Sequence, residues 1–176
     1  MTLPAVPPLS LSDVAAELRA GAGIDMAYEA VKRLAGVSRL ATSVSLSQLL
    51  GKTRPYWGGV DAGVNGNYIG YSNASFTGAL SPQIDQYFGN VQIRQLMTST
   101  YDSTVETSLV FASDPGFRNA IKARLLDNDF VLIREITLTY FTGGSVWSSP
   151  SRPVGSAADA TLFTGPGSYQ LDLIKL

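Results

Sequence analysis

The chain contains no cysteine and no histidine. The first absence excludes disulfides and thiolate metal sites. The second removes the commonest general base and the commonest transition-metal ligand together. Charge is also sparse: only 15% of residues are Asp, Glu, Lys or Arg, and the net charge of −1 with a pI near 5.3 gives no basic stripe. A nucleic-acid partner needs such a stripe, so none is expected. No apolar run approaches the roughly 20 residues that cross a bilayer as a helix, so no membrane span is expected. The opening MTLPAVPPLS has neither a basic region nor an unbroken apolar segment and does not read as a secretory signal.

What remains is apolar and small. Hydrophobic residues make up 45% of the 176, enough for a core, and Ser, Thr and Gly fill much of the rest, a bias common in turn-rich β proteins.

Two stretches near the N-terminus echo each other: LSLSDVAAEL (9–18) and SVSLSQLLGK (43–52). Leu9 and Leu11, like Val44 and Leu46, alternate with serines, which predicts two short paired strands. Ser12 and Ser47 are expected to cap the helices that follow, because a serine hydroxyl accepts a bond from a free amide of the first turn. Between them, GIDMAYEAVKRLAGV predicts a helix capped by Asp25, with Ile24, Ala27, Val31 and Leu34 on one face and Gly36 as its stop. Residues 1–8, with three prolines, read as an extended arm. Residues 9–53 read as a helical attachment unit whose apolar contacts come from Leu9, Leu11, Leu18, Val31, Leu34, Leu46 and Leu49.

From residue 54 the composition shifts. RPYWGGVDAGVNGNYIGY has many glycines and no helical period, and predicts a linker or irregular strand over 54–70. Residues 71–176 then read as β throughout, in ASFTGAL, NVQIRQLMTSTY, ETSLVFAS, FVLIREITLTYF, SVWSSP, DATLFTG and SYQLDLIKL. One helix is expected to interrupt them over DPGFRNAIKARL, with Asp114 as cap and Phe117, Ile121 and Leu125 on one face. The predicted fold is α+β: a small helical unit with short paired strands, then a mainly antiparallel β-sandwich.

Motifs of chemistry are weak. Asp127-Asn128-Asp129 opens like a calcium loop, but Leu132 and Leu138 stand where that loop needs glycine and glutamate. Leu-Gly-Lys-Thr at 50–53 lacks the first glycine of a phosphate loop, since position 46 is Leu46. There is no G-x-S-x-G elbow. No catalytic residue, metal or cofactor is therefore assigned, and the chain is not read as an enzyme. The cluster Tyr56, Trp57, Tyr68 and Tyr71 is the one candidate binding feature. Its rings cover the base of the β domain, anchor an interface or stack on sugar rings.

The N-terminal elements, SLSDVAAEL, then DMAYEAVKRLAGV, then SVSLSQLLGK, resemble a segment of tailed-bacteriophage tail-fibre and tail-tip proteins. Gln48 stands where that segment carries Asp. SFTGALSP, GNVQIRQL, SLVFASDPGFRNAI and SYQLDLIKL are more loosely similar to small β modules at the ends of such fibres. The resemblance implies a virion location and a non-enzymatic structural role in a tail, tail tip or fibre. It implies partners among identical chains, as a homotrimer, and other virion proteins. A head decoration or collar protein is the neighbouring expectation, and a carbohydrate-binding adhesion module on a host-surface glycan the more distant one.

Overall fold

A computed structural model describes residues 2–18, 28–52, 55–85 and 91–176. The chain forms two compact units, Met1–Pro55 with Asn128–Val131, and Tyr56–Asp127 with Leu132–Leu176.

The first unit holds helices α1 (Leu11–Leu18) and α2 (Glu29–Ala35) and a 3-10 turn at Leu46–Leu49. The caps are not the predicted ones. Ser10, not Ser12, starts α1: its amide donates to Asp13 Oδ2 at 2.8 Å and its hydroxyl to the same oxygen at 2.7 Å, while the Asp13 amide donates to Ser10 Oγ at 3.2 Å. Ser45, not Ser47, starts the 3-10 turn, and its amide donates to Gln48 Oε1 at 2.8 Å. Each is a capping box, in which the serine and the residue three further on satisfy each other's backbone amides. The second serine of each motif bonds the first through its hydroxyl, at 2.6 and 2.8 Å. The echo in the sequence is thus one device used twice. No strand forms over residues 9–11 or 44–46, because the capping boxes start helical turns at Leu11 and Leu46.

Gly36 ends α2 as expected, in the left-handed conformation at φ +75°. The predicted cap Asp25 and the face residues Ile24 and Ala27 lie outside the described residues. The proline arm folds back: the Leu3 amide donates to Lys52 O at 2.9 Å, the Gly51 amide donates to Pro4 O at 2.8 Å, and Leu3 is buried.

The second unit is a closed barrel, which overturns the sandwich. Its strands are β1 (Tyr56–Asn65), β2 (Tyr68–Ser72), β3 (Ala79–Ser81), β4 (Ile84–Asp85), β5 (Val91–Tyr101), β6 (Thr104–Phe111), β7 (Ile121–Leu126), β8 (Leu132–Thr142), β9 (Val146–Ser148), β10 (Arg152–Pro153) and β11 (Gly167–Lys175). Eight of them pair antiparallel in the ring β1-β2-β5-β6-β9-β8-β7-β11 and back to β1. Two long strands turn the corners. β1 pairs with β11 along Tyr56–Ala62 and with β2 along Gly63–Asn65. β8 pairs with β7 along Leu132–Leu138 and with β9 from Thr139 on. A sandwich would leave those edges open, whereas here the two sheets share both strands. Bulges at Ile93/Gln95, Leu125/Leu126 and Tyr140/Thr142 add the local bend that closure needs.

Three further expectations fail. The glycine-rich stretch read as a linker supplies β1 and β2, and so belongs to the barrel wall. The predicted helix over 114–125 is irregular to residue 120 and then becomes β7, whose Ile121, Ala123 and Leu125 face inward at period two. Ile121 and Leu125 satisfy both periods, and the pairing of β7 with β8 and β11 selects the strand. DATLFTG forms no strand and caps one end of the barrel instead.

Candidate functional site: a filled barrel and an outer groove

An eight-stranded barrel is just wide enough for its own side chains to fill. Here they do: Leu96, Leu109, Phe111, Ile121, Leu138 and Trp147 are buried in one apolar cluster. Trp147 packs edge-on against Phe111 and Tyr140, each with ring centroids 5.3 Å away, and its indole N–H donates to Asn119 O at 2.8 Å.

One end is sealed by the segment before β11, through threonines that face inward. The Thr107 hydroxyl donates to Ala160 O at 2.7 Å and accepts from the Leu162 amide at 3.1 Å. Its single proton is thereby used, so in the 2.8 Å pair of Thr98 and Thr107 hydroxyls Thr98 is the donor. Thr98 Oγ1 in turn accepts from the Phe163 amide at 3.0 Å and the Leu162 amide at 3.2 Å. Ser149 Oγ adds a bond to Ala160 O at 3.3 Å and accepts from the Thr107 amide at 2.9 Å. Buried polar groups are tolerated because they satisfy one another. Leu162 and Phe163 are driven into the core on this anchor.

The four candidate aromatics separate. Tyr56 and Tyr71 are core residues: the Tyr56 hydroxyl donates to Pro82 O, and burial pushes the Tyr71 phenol above its ordinary pKa. Trp57 is half-buried on the opposite face of β1. Tyr68 alone keeps a largely free ring, 47% exposed. The reason is the strand period, which turns Tyr71 inward while Tyr68, three residues earlier, faces out.

Tyr68 stands on a groove of about 510 Å³ on the outer wall, lined by Asn65, Ser72, Ser75, Gln95 and Met97 among others. The β1–β2 hairpin, the loop after β2 and the outward face of β5 supply these side chains. In the same loop, next after Ser75, Phe76 is 93% exposed at φ +51°, a conformation costly for a residue with a bulky side chain. The sequence reading missed Asn65, Gln95 and Phe76. The signal available was the lone Phe in YSNASFTG, an aromatic among small polar residues with no alternating neighbour.

Of the predicted attachment residues, Leu9, Leu18, Val31, Leu34 and Leu49 are buried, whereas Leu11 and Leu46 are 42% and 39% exposed. Those two follow the capping serines at the same position of the repeated device. Asp129 is engaged by Arg39, whose amide donates to its carbonyl at 2.8 Å. Glu135 and Asp172 meet across Arg124, at 3.4 and 3.7 Å, as an ion-pair ladder on β8, β7 and β11. Among the described residues, no helix is long and apolar enough to cross a membrane, and no group of three or more acidic residues is placed to hold a metal ion.

No family model matches the chain, and neither a curated protein nor a solved structure does.

Proposed function

We propose that the chain is a non-enzymatic structural component of a tailed-bacteriophage virion, in the tail, tail tip or fibre, self-associating as a trimer and contacting other virion proteins. The observation that carries the reading is the repeated Ser-Leu-Ser capping box. Two of the three elements that bear the resemblance fold as the same device, and each of the two presents one exposed leucine, Leu11 or Leu46. Exposed apolar side chains on a rigid, capped turn suit an assembly contact, where apolar area is buried on docking. A barrel filled by its own side chains is also suited to a rigid building block.

The test is the double substitution Leu11→Ser with Leu46→Ser. Both side chains are substantially exposed, so the unfolding midpoint stays near that of the parent chain. Incorporation into particles, measured by quantitative mass spectrometry of purified virions, is expected to fall severalfold. Normal occupancy of the variant would remove the helical unit from the assembly contact.

A further inference from the structure

We infer that the outer groove between the β1–β2 hairpin and β5 is a binding site for a neutral saccharide. This goes beyond the structural role and holds whether or not the chain is built into a virion. Three features of the groove carry it.

The first is its chemistry. The side chains lining it carry two amides, two serine hydroxyls, a phenol and a thioether, and no charge. A phosphate, carboxylate or ammonium ligand would find no counter-charge there, and a purely apolar ligand would leave the amides and hydroxyls without water or partner. A sugar matches both halves of the lining. Its hydroxyls donate and accept, as amides and serines do, and its C–H face lies against an aromatic ring.

The second is orientation. Gln95 Nε2 donates to Ser108 Oγ at 3.1 Å, which fixes the side-chain amide and leaves Oε1 without a partner among the described residues. Ser72 is buried in the lining; its Oγ accepts from the Ser75 amide at 3.4 Å, and its hydroxyl proton has no acceptor among the described residues. Tyr68 supplies an exposed ring whose hydroxyl likewise has no partner among the described residues.

The third is the loop that closes one side. Ser72 and Thr77 exchange two backbone bonds, at 2.8 and 3.0 Å, and the hydroxyls of Ser75 and Thr77 lie 3.0 Å apart. This short clamp holds Phe76 in its left-handed conformation with the ring in solvent. Strain kept at an exposed aromatic points to a function for that ring. We assign it as a second stacking surface at the rim. A clamped loop loses little freedom on binding, which favours a preformed site. At about 510 Å³ the groove falls in the usual range of small-molecule sites, roughly 300–1,000 Å³, and so takes an oligosaccharide of a few rings.

The experiment titrates the full chain with maltotriose, cellotriose and triacetylchitotriose, with sialyllactose as the charged comparator. Saturation-transfer NMR reads contact, and calorimetry reads affinity. At least one neutral trisaccharide is expected to bind with a dissociation constant of about 1 mM, with transfer strongest at its ring C–H protons. Tyr68→Ala is expected to weaken that binding about tenfold and Gln95→Ala about fivefold, from the lost ring face and the lost acceptor. The unfolding midpoints of both variants stay near that of the parent chain, since neither side chain belongs to the core. Three results overturn the inference: no neutral trisaccharide binds at about ten times that concentration, or the affinity survives both substitutions, or sialyllactose binds as tightly as the neutral sugars.

Discussion

Replacing Thr107 by valine keeps the shape of a fully buried side chain and removes one hydroxyl from the knot that seals the barrel. The consequences can be followed atom by atom. Ala160 O loses its 2.7 Å bond and keeps only Ser149 Oγ at 3.3 Å, whose single proton also faces Pro150 O at 3.1 Å. The Leu162 amide keeps Thr98 Oγ1 at 3.2 Å. The Thr98 proton loses its acceptor altogether. Leaving a buried polar group unsatisfied costs roughly 1–3 kcal/mol, and here one is orphaned and two are weakened, so about 2–4 kcal/mol is expected. For a chain of this size that lowers the melting temperature by about 5–15 °C. Thr98→Val orphans the Phe163 amide and is expected to cost a similar amount. Because the two threonines share a bond, the double variant should fall short of the sum by about 1 kcal/mol. Urea unfolding followed by tryptophan fluorescence reads this, since Trp147 lies in the same core. A Thr107→Val midpoint within about 0.5 kcal/mol of the parent, in stability terms, would refute the anchor.

Two adjacent glycines in β1 should behave oppositely. A Cβ on Gly58 would lie 2.0 Å from Ser81 O, so Gly58→Ala must displace β3, whereas Gly59 has nothing within 4 Å and Gly59→Ala should be near neutral. Thermal melts of the two variants check this, with at least about 1–3 kcal/mol lost at Gly58 alone. Acid sensitivity should involve Asp114, whose pKa is held at about 2 by the Arg118 guanidinium and then by the Gly116 amide. Its folded pKa lies below the unfolded value of about 3.9, so its contribution is complete above pH 4 and disappears as pH falls through 2. Asp114→Asn should flatten that part of a stability-versus-pH profile, and an unchanged profile would contradict the assignment. A chain starting at residue 71 lacks β1 and most of β2 and should fail to fold by circular dichroism; a cooperative melt of that fragment would mean the ring does not need them.

The barrel's separate walls were legible where one face of a strand is apolar. Val105, Thr107, Leu109 and Phe111 turn inward along β6, and β5, β8 and β11 fall close to their expected places. Closure was not legible, because it depends on β1 and β2, where glycines weaken the alternation that marks a strand. The helix expected over 114–125 shows the limit of periodicity when Ile121 and Leu125 fit either period. The repeated Ser-Leu-Ser was visible, but which serine caps was settled by the partner three residues on, Asp13 or Gln48. Gln48 does with its amide oxygen what Asp13 does with its carboxylate. At the groove, Tyr68 was found as one of four aromatics, while Asn65 and Gln95 join it only through strand pairing across β2 and β5.

The central claim is that this barrel with its helical unit is a building block of a virion. A cryo-EM map of tailed-phage particles produced in cells that express the chain tests it most directly. Symmetry-related copies of an eight-stranded barrel are expected in the tail, tip or fibre, with Leu11 and Leu46 buried against neighbouring chains. Particles that lack the chain, or hold it with both leucines in solvent, would contradict it.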